Sequence, residues 1–232
     1  MFRLMKLQLL IFICCCCVLF TNLVWAGRPF FTDDAGLTNS GACQLETWVQ
    51  VNGNNDLDLW AVPACNPSGN FEIALGLDQL RSSNDRPIQQ YVLQGKTLFR
   101  GLETNNWGLG FAFGITRTAK EATGSEYAYV PLILSLADGN LVVHANLGWL
   151  RNHPENSNQT TWGIGAEYAI TQRASVFSEI FGNDIFKPTQ HSGLSFSVIP
   201  NRLHINLTVG HNKALEKDAY FYSFGINVYS PP

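Results

Sequence analysis

The sequence has 232 residues, of which 46% are hydrophobic, 12% aromatic and only 14% charged, whereas an ordinary soluble domain has roughly 25% charged residues. A chain this apolar is not intrinsically disordered, because disorder needs low hydrophobicity and high net charge. The formal net charge of −3 also lacks the basic excess of a nucleic-acid-binding protein. Twenty Gly, fifteen Phe, seven Tyr and six Trp favour many short strands with aromatic bands.

Residues 1–26 are predicted to be a secretory signal peptide. Arg3 and Lys6 precede an apolar run over residues 7–20, and Val24-Trp25-Ala26 places small residues at the −3 and −1 cleavage positions. A retained membrane anchor, or a lipoprotein with its lipid on one of Cys14–Cys17, are the alternatives. Cleavage after Ala26 would export the remaining chain.

Two cysteines, Cys43 and Cys65, would then remain in an oxidising compartment, where disulfides persist. The residues between them alternate on both sides of the turn-prone cluster Gly53-Asn54-Asn55, which predicts a hairpin with Cys43 opposite Cys65. We predict a disulfide here, which would contribute roughly 3 kcal/mol to stability. Two buried free thiols are the alternative.

Strand-like alternation recurs along the rest of the chain. Leu203, Ile205 and Leu207, for example, alternate with His204 and Asn206, and a period of two is typical of strands that face two environments. The pattern predicts about twelve strands, with ten as the lower bound. Their expected ranges are 43–52, 57–65, 70–78, 90–100, 106–117, 126–136, 141–151, 160–169, 173–182, 189–198, 203–211 and 219–229.

The predicted connections alternate between short turns and longer loops, which is typical of bacterial outer-membrane barrels with an even strand count. The longer ones, expected on the outside, are 79–89, 118–125, 152–159, 183–188 and 212–218. The competing fold is a soluble β-sandwich, whose solvent-facing strand faces should carry many charges. Here the second face is mostly small or uncharged. We therefore predict an all-β fold: a periplasmic N-terminal segment over 27–42, then one closed antiparallel transmembrane β-barrel over 43–232.

Eight segments also carry a resemblance to a known family: 28–36, 44–48, 63–70, 94–100, 129–131, 144–149, 162–167 and 224–225. They resemble a proteobacterial outer-membrane β-barrel family related to the phenol meta-degradation pathway proteins, which are labelled as transporters. The resemblance covers nearly all of the exported chain and implies a location in the Gram-negative outer membrane, but it transfers no ligand or catalytic residue. It also implies insertion by the barrel-assembly machinery, although Tyr229 is followed by Ser230-Pro231-Pro232 instead of ending the chain.

In a barrel, the strand face opposite the large apolar residues points into the lumen. The residues predicted to line the lumen or contact a solute are Glu46, Trp48, Glu72, Gln94, Lys96, His144, Asn146, Glu167, Glu179, His191, His204 and Asn206. Two interpretations are open: a polar path or cavity for a small solute, or a hydrogen-bonded and salt-bridged filling, since buried polar groups must be paired or wet. Lys96 is expected to pair with Glu72 or Glu46.

Two further patterns lie at the barrel's ends. Asp33-Asp34-Ala35-Gly36, before the first strand, could be a periplasmic docking element, a plug at the inner mouth or a simple turn. Aromatic residues near strand ends could form the interfacial girdles of an outer-membrane barrel, or several of them could be ordinary core aromatics. These are Trp60, Trp107, Tyr127, Trp149, Trp162, Tyr220 and Tyr229.

Catalytic and metal-binding patterns are weak. His144 and Asn146 lie two apart on one strand, and Ser175, Ser195 or Ser197 could complete a Ser-His-Asn arrangement for hydrolysis. The five histidines lack the close spacing of a zinc or copper site, so we expect no metal and no cofactor.

The sequence thus predicts a non-enzymatic, monomeric outer-membrane channel or binding pore for passive passage of a small solute, with apolar or aromatic molecules as candidates. A structural or adhesion-type barrel with a plugged lumen and functional outer loops is the second hypothesis. A barrel hydrolase acting on lipid is the third. The expected partners are outer-membrane lipid, the assembly machinery and the solute, with no nucleic acid.

Overall fold

The computed structural model describes residues 31–82, 86–119, 124–214 and 219–230, so the predicted signal peptide lies outside the described residues. Within these ranges the chain forms twelve strands, and all of them begin and end within three residues of their predicted bounds. They are β1 (Cys43–Asn52), β2 (Leu57–Cys65), β3 (Phe71–Arg81), β4 (Ile88–Arg100), β5 (Trp107–Thr118), β6 (Gly124–Leu136), β7 (Leu141–Asn152), β8 (Ser157–Thr171), β9 (Ala174–Asn183), β10 (Thr189–Ile199), β11 (Leu203–Asn212) and β12 (Tyr220–Tyr229). A short 3₁₀ turn, Ala137–Gly139, joins β6 to β7.

The twelve strands form one closed antiparallel barrel. Each strand pairs with its neighbours in the chain, and β1 pairs with β12 from Gln44 opposite Tyr229 to Asn52 opposite Phe221. Closure satisfies the backbone hydrogen bonds that an open sheet edge would expose. The β-sandwich alternative is therefore wrong, because a single sheet closes on itself. Among the described residues, no helix has the length and apolar character needed to cross a membrane.

The two faces of the barrel differ sharply in chemistry. Large apolar side chains cover the outside, and Leu147, Leu207 and Tyr222 are 63%, 58% and 60% exposed. Soluble monomers rarely expose contiguous apolar patches above a few hundred Å², and leaving such area in water costs roughly 25 cal/mol per Å². The outer surface is thus built to contact hydrocarbon.

The predicted aromatic girdle is confirmed only in part. Trp107, Trp149 and Tyr220 are 40%, 46% and 57% exposed on the outside, and Trp162 shares the outward phase of β8. The prediction is wrong for Trp60, Tyr127 and Tyr229, which point into the lumen. They have the opposite phase in the two-residue period of their strands, so proximity to a strand end was a poorer guide than phase.

The two cysteines of the first hairpin are joined by a disulfide. The predicted register around it is the observed one, with Cys43 opposite Cys65, Leu45 opposite Pro63 and Thr47 opposite Ala61. Next to this bond, the backbone N–H of Cys43 donates to Ser230 Oγ (2.9 Å), and the Ser230 N–H donates to the Cys43 carbonyl (2.8 Å). Both ends of the barrel sheet therefore meet at one point.

Two of the connections predicted as long outer loops are clearly shorter than expected. Polar residues continue the strand pairing beyond the apolar band, as in Gln79 opposite Gln89 and Asn152 opposite Ser157. The predicted loop 79–89 is reduced to 82–87, and the predicted loop 152–159 to 153–156. The apolar pattern marked only the part of each strand that faces hydrocarbon, whereas hydrogen bonding continues past it.

Candidate functional site in the barrel lumen

Residues 31–38, which we call the luminal segment, lie inside the barrel. The backbone N–H groups of Phe31 and Thr32 donate to the carboxylate of Glu179 at 2.8 and 2.7 Å. His191 Nδ1 lies 2.7 Å from the same carboxylate, and both side chains are fully buried. The Phe31 ring stacks on Phe181 with 4.8 Å between ring centroids. Glu179 lies in the middle of β9, so the segment reaches the middle of the barrel.

Lys96 holds the acidic part of the luminal segment. Its ammonium lies 3.1 Å from the carboxylates of both Asp33 and Asp34, and the Lys96 and Asp34 side chains are 7% exposed. Tyr129 donates its hydroxyl to Asp33. Lys96 faces Glu72 across the strands, as predicted, but its ion pairs are formed with Asp33 and Asp34, because the segment folds into the lumen and places two carboxylates at the ammonium.

Asp34 lies on the luminal segment, outside the membrane-spanning strands. Burial raises the pKa of its carboxyl from 3.8 to about 7, even though the Lys96 ammonium acts to lower it. The docked segment therefore holds a group that changes charge near neutral pH.

Further polar contacts fix the segment along its length. In the amide orientation that satisfies its neighbours, Asn146 accepts from the Asp33 N–H (2.7 Å) and donates to the Asp33 carbonyl (2.9 Å). The N–H and hydroxyl of Thr38 donate to Glu72 at 2.7 and 2.5 Å. Asn66, in the β2–β3 turn, donates to the Thr38 carbonyl at 2.7 Å. Of the three interpretations of the Asp33–Gly36 stretch, the contacts match a plug inside the barrel.

The barrel wall leaves room for this segment where β8 passes it. A Cβ atom placed on Gly163 would lie 2.6 Å from Thr32 Oγ1, well inside van der Waals contact. Glycine is needed here for close approach of the segment, because any larger side chain would displace it.

Beside the luminal segment, the lumen contains a cavity of about 340 Å³. One wall is formed by Trp48 and Trp60, which stack at 5.1 Å with an interplanar angle of 10°. Tyr127 and Tyr129 stack at 6.1 Å and also line the cavity. The volume is at the small end of the range for ligand pockets, roughly 300–1,000 Å³.

The predicted lumen residues divide into two groups. Those that line the cavity are Glu46, Trp48, Glu72, Gln94 and Lys96. Those on the remaining wall are His144, Asn146, Glu167, Glu179, His191, His204 and Asn206, which carry the same inward phase. Within the cavity group, Gln94 accepts from the Tyr127 hydroxyl (2.8 Å). Whether any of these side chains contacts a solute stays a prediction.

Sequence reasoning missed an acidic pair just beyond the outer end of the cavity. Asp58 and Asp78 point inward on β2 and β3, and their carboxyl groups lie close enough to interact. Asp78 lies directly opposite Trp60. The alternation that placed Glu72 inward also places Asp78 inward, six residues further along the same strand, so the signal was present. Phe31 and Thr32 had no comparable signal, because they lie outside any strand pattern.

Two of the residues considered for hydrolysis make other contacts. Asn146 binds the Asp33 backbone, as described above, and Ser175 donates its hydroxyl to Glu167. His144 is 0% exposed inside the barrel, away from the lipid-facing surface where a lipid-acting enzyme would meet its substrate. Within the described ranges, no group of three or more His, Cys, Asp or Glu side chains is placed to hold a metal ion.

The sequence matches the model of one protein family, and the fold is similar to several solved barrel structures. The sequence model of a family described as uncharacterised conserved protein UCP029691 matches residues 17–229. No curated protein sequence matches the chain.

Among solved structures, a KdgM porin in complex with disordered oligogalacturonate is 10% identical, with a TM-score of 0.62 over 81% of this chain and 98% of that one. A NanC porin is 8% identical, with a TM-score of 0.61 over 80% and 98%. Outer membrane phospholipase A from Escherichia coli is 10% identical, with a TM-score of 0.51 over 80% and 92%. At these identities the likeness shows a shared fold, that of outer-membrane barrels, and no shared ligand or reaction.

Proposed function

The chain belongs to the family described as uncharacterised conserved protein UCP029691, and from its plugged but hollow barrel we propose that it is an outer-membrane channel with a binding cavity for a small solute. Passage is passive and has no catalytic step. The luminal segment controls access to the periplasm. The observation that carries the proposal is the cavity of about 340 Å³ left beside the segment.

The cavity supports a binding role because its lining combines apolar, aromatic and polar side chains. Two stacked tryptophans provide a flat apolar wall, and Gln94 and Tyr127 provide polar groups. A few placed polar groups among apolar and aromatic side chains are typical of small-molecule sites.

The luminal segment supports gating because its contacts are polar and reversible. It is held by ion pairs and hydrogen bonds from Lys96, Glu179 and Glu72, without a covalent bond along residues 31–38. Such contacts exchange readily with water, whereas a packed apolar plug would have to expose its surface on leaving. The porin neighbours share only their fold with this protein.

A second candidate function is a structural barrel whose lumen stays closed. The dense bonding of the luminal segment to strands on both sides of the barrel favours it. The two functions differ in whether the segment ever leaves.

Single-channel recording in planar bilayers, with flux of small solutes from liposomes, tests the proposal. We would compare the whole protein, a variant lacking residues 31–38, and Leu194→Ala, which trims a lipid-facing side chain that is 53% exposed. We expect brief, infrequent conductance steps for the whole protein and the control, and long-lived steps with faster flux after the deletion. No steps and no flux in any variant, with heat-modifiable gel mobility confirming a folded barrel, would favour the closed structural barrel.

A further inference from the structure

The charges on the luminal face of the strands are strongly one-sided. Within the described strands, the inward-facing carboxylates are Glu46, Asp58, Glu72, Asp78, Glu167 and Glu179, and the one inward-facing ammonium is Lys96. The luminal segment adds Asp33 and Asp34. A narrow, low-dielectric lumen concentrates the resulting negative potential. A negatively charged solute would therefore be repelled from this barrel, and a positively charged one attracted.

Most of these charges already have partners within the protein. Lys96 is shared by Asp33 and Asp34. Glu179 accepts from two backbone N–H groups and contacts His191, and Glu72 accepts from Thr38. Ser175 donates to Glu167. These contacts hold the luminal segment or the wall, so they are not available to a solute while the segment is docked.

Asp58 and Asp78 are different. Their carboxyl groups face each other, and Oδ1 of each is buried without a hydrogen-bond donor among the described residues. Asp78 is only 8% exposed. Two carboxylates in contact cannot both stay ionised unless a cation compensates them; otherwise they must share a proton. Their neighbours across the strands, Gln50 beside Asp58 and Gln90 beside Asp78, are uncharged.

An aromatic wall lies directly next to this pair. Trp60 is the cross-strand partner of Asp78, and it stacks on Trp48, which lines the cavity. Aromatic faces attract cations through the ring quadrupole, and tryptophan does so most strongly. A carboxyl pair beside a tryptophan face matches an ammonium group joined to an apolar or aromatic body.

From these two observations we infer that the lumen just beyond the outer end of the cavity is a binding site for a small organic cation, whose ammonium group lies between Asp58 and Asp78 and whose apolar part lies in the cavity against Trp48 and Trp60. This inference rests on the proposed function and names its solute class. It also separates this barrel from the porin neighbour found with oligogalacturonate, which is a polyanion.

Three probes of similar size and different charge test the site: 2-phenylethylammonium, 2-phenylethanol and phenylacetate. Binding to the whole protein in detergent is measured by tryptophan fluorescence and calorimetry, and ion selectivity by the reversal potential in a salt gradient. The variant is the double substitution Asp58→Asn and Asp78→Asn, which keeps the side-chain shape. The matched control is Glu155→Gln, which removes one exposed carboxylate in the β7–β8 connection.

We expect 2-phenylethylammonium to bind roughly tenfold or more tightly than 2-phenylethanol, phenylacetate to bind weakest, and the double variant to lose most of this preference. The control should keep it. Heat stability should stay or rise in the double variant, because two like charges in contact are removed, so loss of binding with retained stability distinguishes a ligand site from a structural role.

Equal binding of the charged and neutral probes would overturn the cation site, and so would a preference that survives the double substitution. Either result leaves the channel intact if conductance persists. Absence of conductance and of binding by all three probes would instead defeat the proposed function itself.

Discussion

The two sides of one lumen deal with buried charge in opposite ways. On the side formed by β7 to β10, the luminal segment lies against the wall, and Glu167 and Glu179 both accept hydrogen bonds from the protein. On the side formed by β1 to β4, a cavity remains, and just beyond its outer end the Oδ1 atoms of Asp58 and Asp78 are buried without a hydrogen-bond donor among the described residues. Because buried charged groups are costly unless paired, the carboxylates of the first side are complete as they stand, whereas the carboxyl pair of the second is suited to a ligand. One barrel lumen thus holds both a docked segment and a cavity.

Lys96 connects the two sides, and its loss should have the largest effect. In Lys96→Met, Asp33 and Asp34 would stay buried without their cation, at a cost of about 3–5 kcal/mol to docking of the luminal segment. We expect long-lived open steps in planar-bilayer recordings and new protease cleavage within residues 31–38.

Lys187→Met is the matched control, because Lys187 is exposed in the β9–β10 connection. Its recordings should match those of the unchanged protein. An equally quiet Lys96→Met channel would mean that the ion pairs do not hold the segment in place.

The complete side can be weakened by Glu179→Gln. The two N–H groups donate to different oxygens of the carboxylate, and in glutamine one of these oxygens is replaced by an NH2 donor, so the N–H group of Phe31 or of Thr32 would face a donor instead of an acceptor. Each charge-assisted bond is worth about 1.5–3 kcal/mol. We expect faster hydrogen exchange at these two amides and a smaller gain in open time than in Lys96→Met. Exchange as slow as in the unchanged protein would show that the amides are held by packing of Phe31.

A steric clash offers a third way to weaken docking of the luminal segment, and it changes no charged residue. Gly163→Ala places a methyl group where Thr32 Oγ1 lies, 2.6 Å from the new Cβ, and overpacking of this kind costs about 1–3 kcal/mol. We expect more frequent opening in bilayer recordings. Adding Thr32→Gly should restore the closed channel, because it removes the clashing side chain; failure of this rescue would locate the effect in the strand itself.

The smallest expected effect is on pH dependence. The pKa of Asp34 is raised to about 7 in the docked segment and would return towards its ordinary value of 3.8 on release, so docking takes up a proton. Protonation of Asp34 therefore stabilises the docked segment at acidic pH, and this stabilisation is lost as pH rises through about 7. Between pH 6 and 8 the docking free energy should weaken by about 1 kcal/mol, and open time should rise. Asp34→Asn should respond less to pH, and an unchanged slope would contradict this role for Asp34.

The strands and their orientation were predictable because both follow from a single period. In β3, the alternation of Phe71, Ile73 and Leu75 with Glu72 and Ala74 sets which residues face lipid, and pairing with β2 and β4 then has one consistent register. The same reasoning placed Cys43 opposite Cys65. It did not reach the ends of strands such as β8, where hydrogen bonding continues among polar residues after the apolar signal stops.

The site was less predictable because it depends on a segment without periodicity. Nothing local to Asp33 or Asp34 indicates that Lys96, more than sixty residues away, forms its ion pairs with them rather than with Glu72 on the adjacent strand. The lumen was predicted as a surface, but its contents depend on which chain segment fills it. The inward orientation of Asp58 and Asp78, by contrast, was predictable, because it follows from the phase of their strands.

The close fit of Thr32 against the bare backbone of Gly163 has a consequence for how such a protein can change over time. A side chain added to the wall and a side chain removed from the segment are each unfavourable alone but compatible together. The two positions should therefore vary as a pair, and a segment transplanted from a barrel with a different wall should fail to close this one.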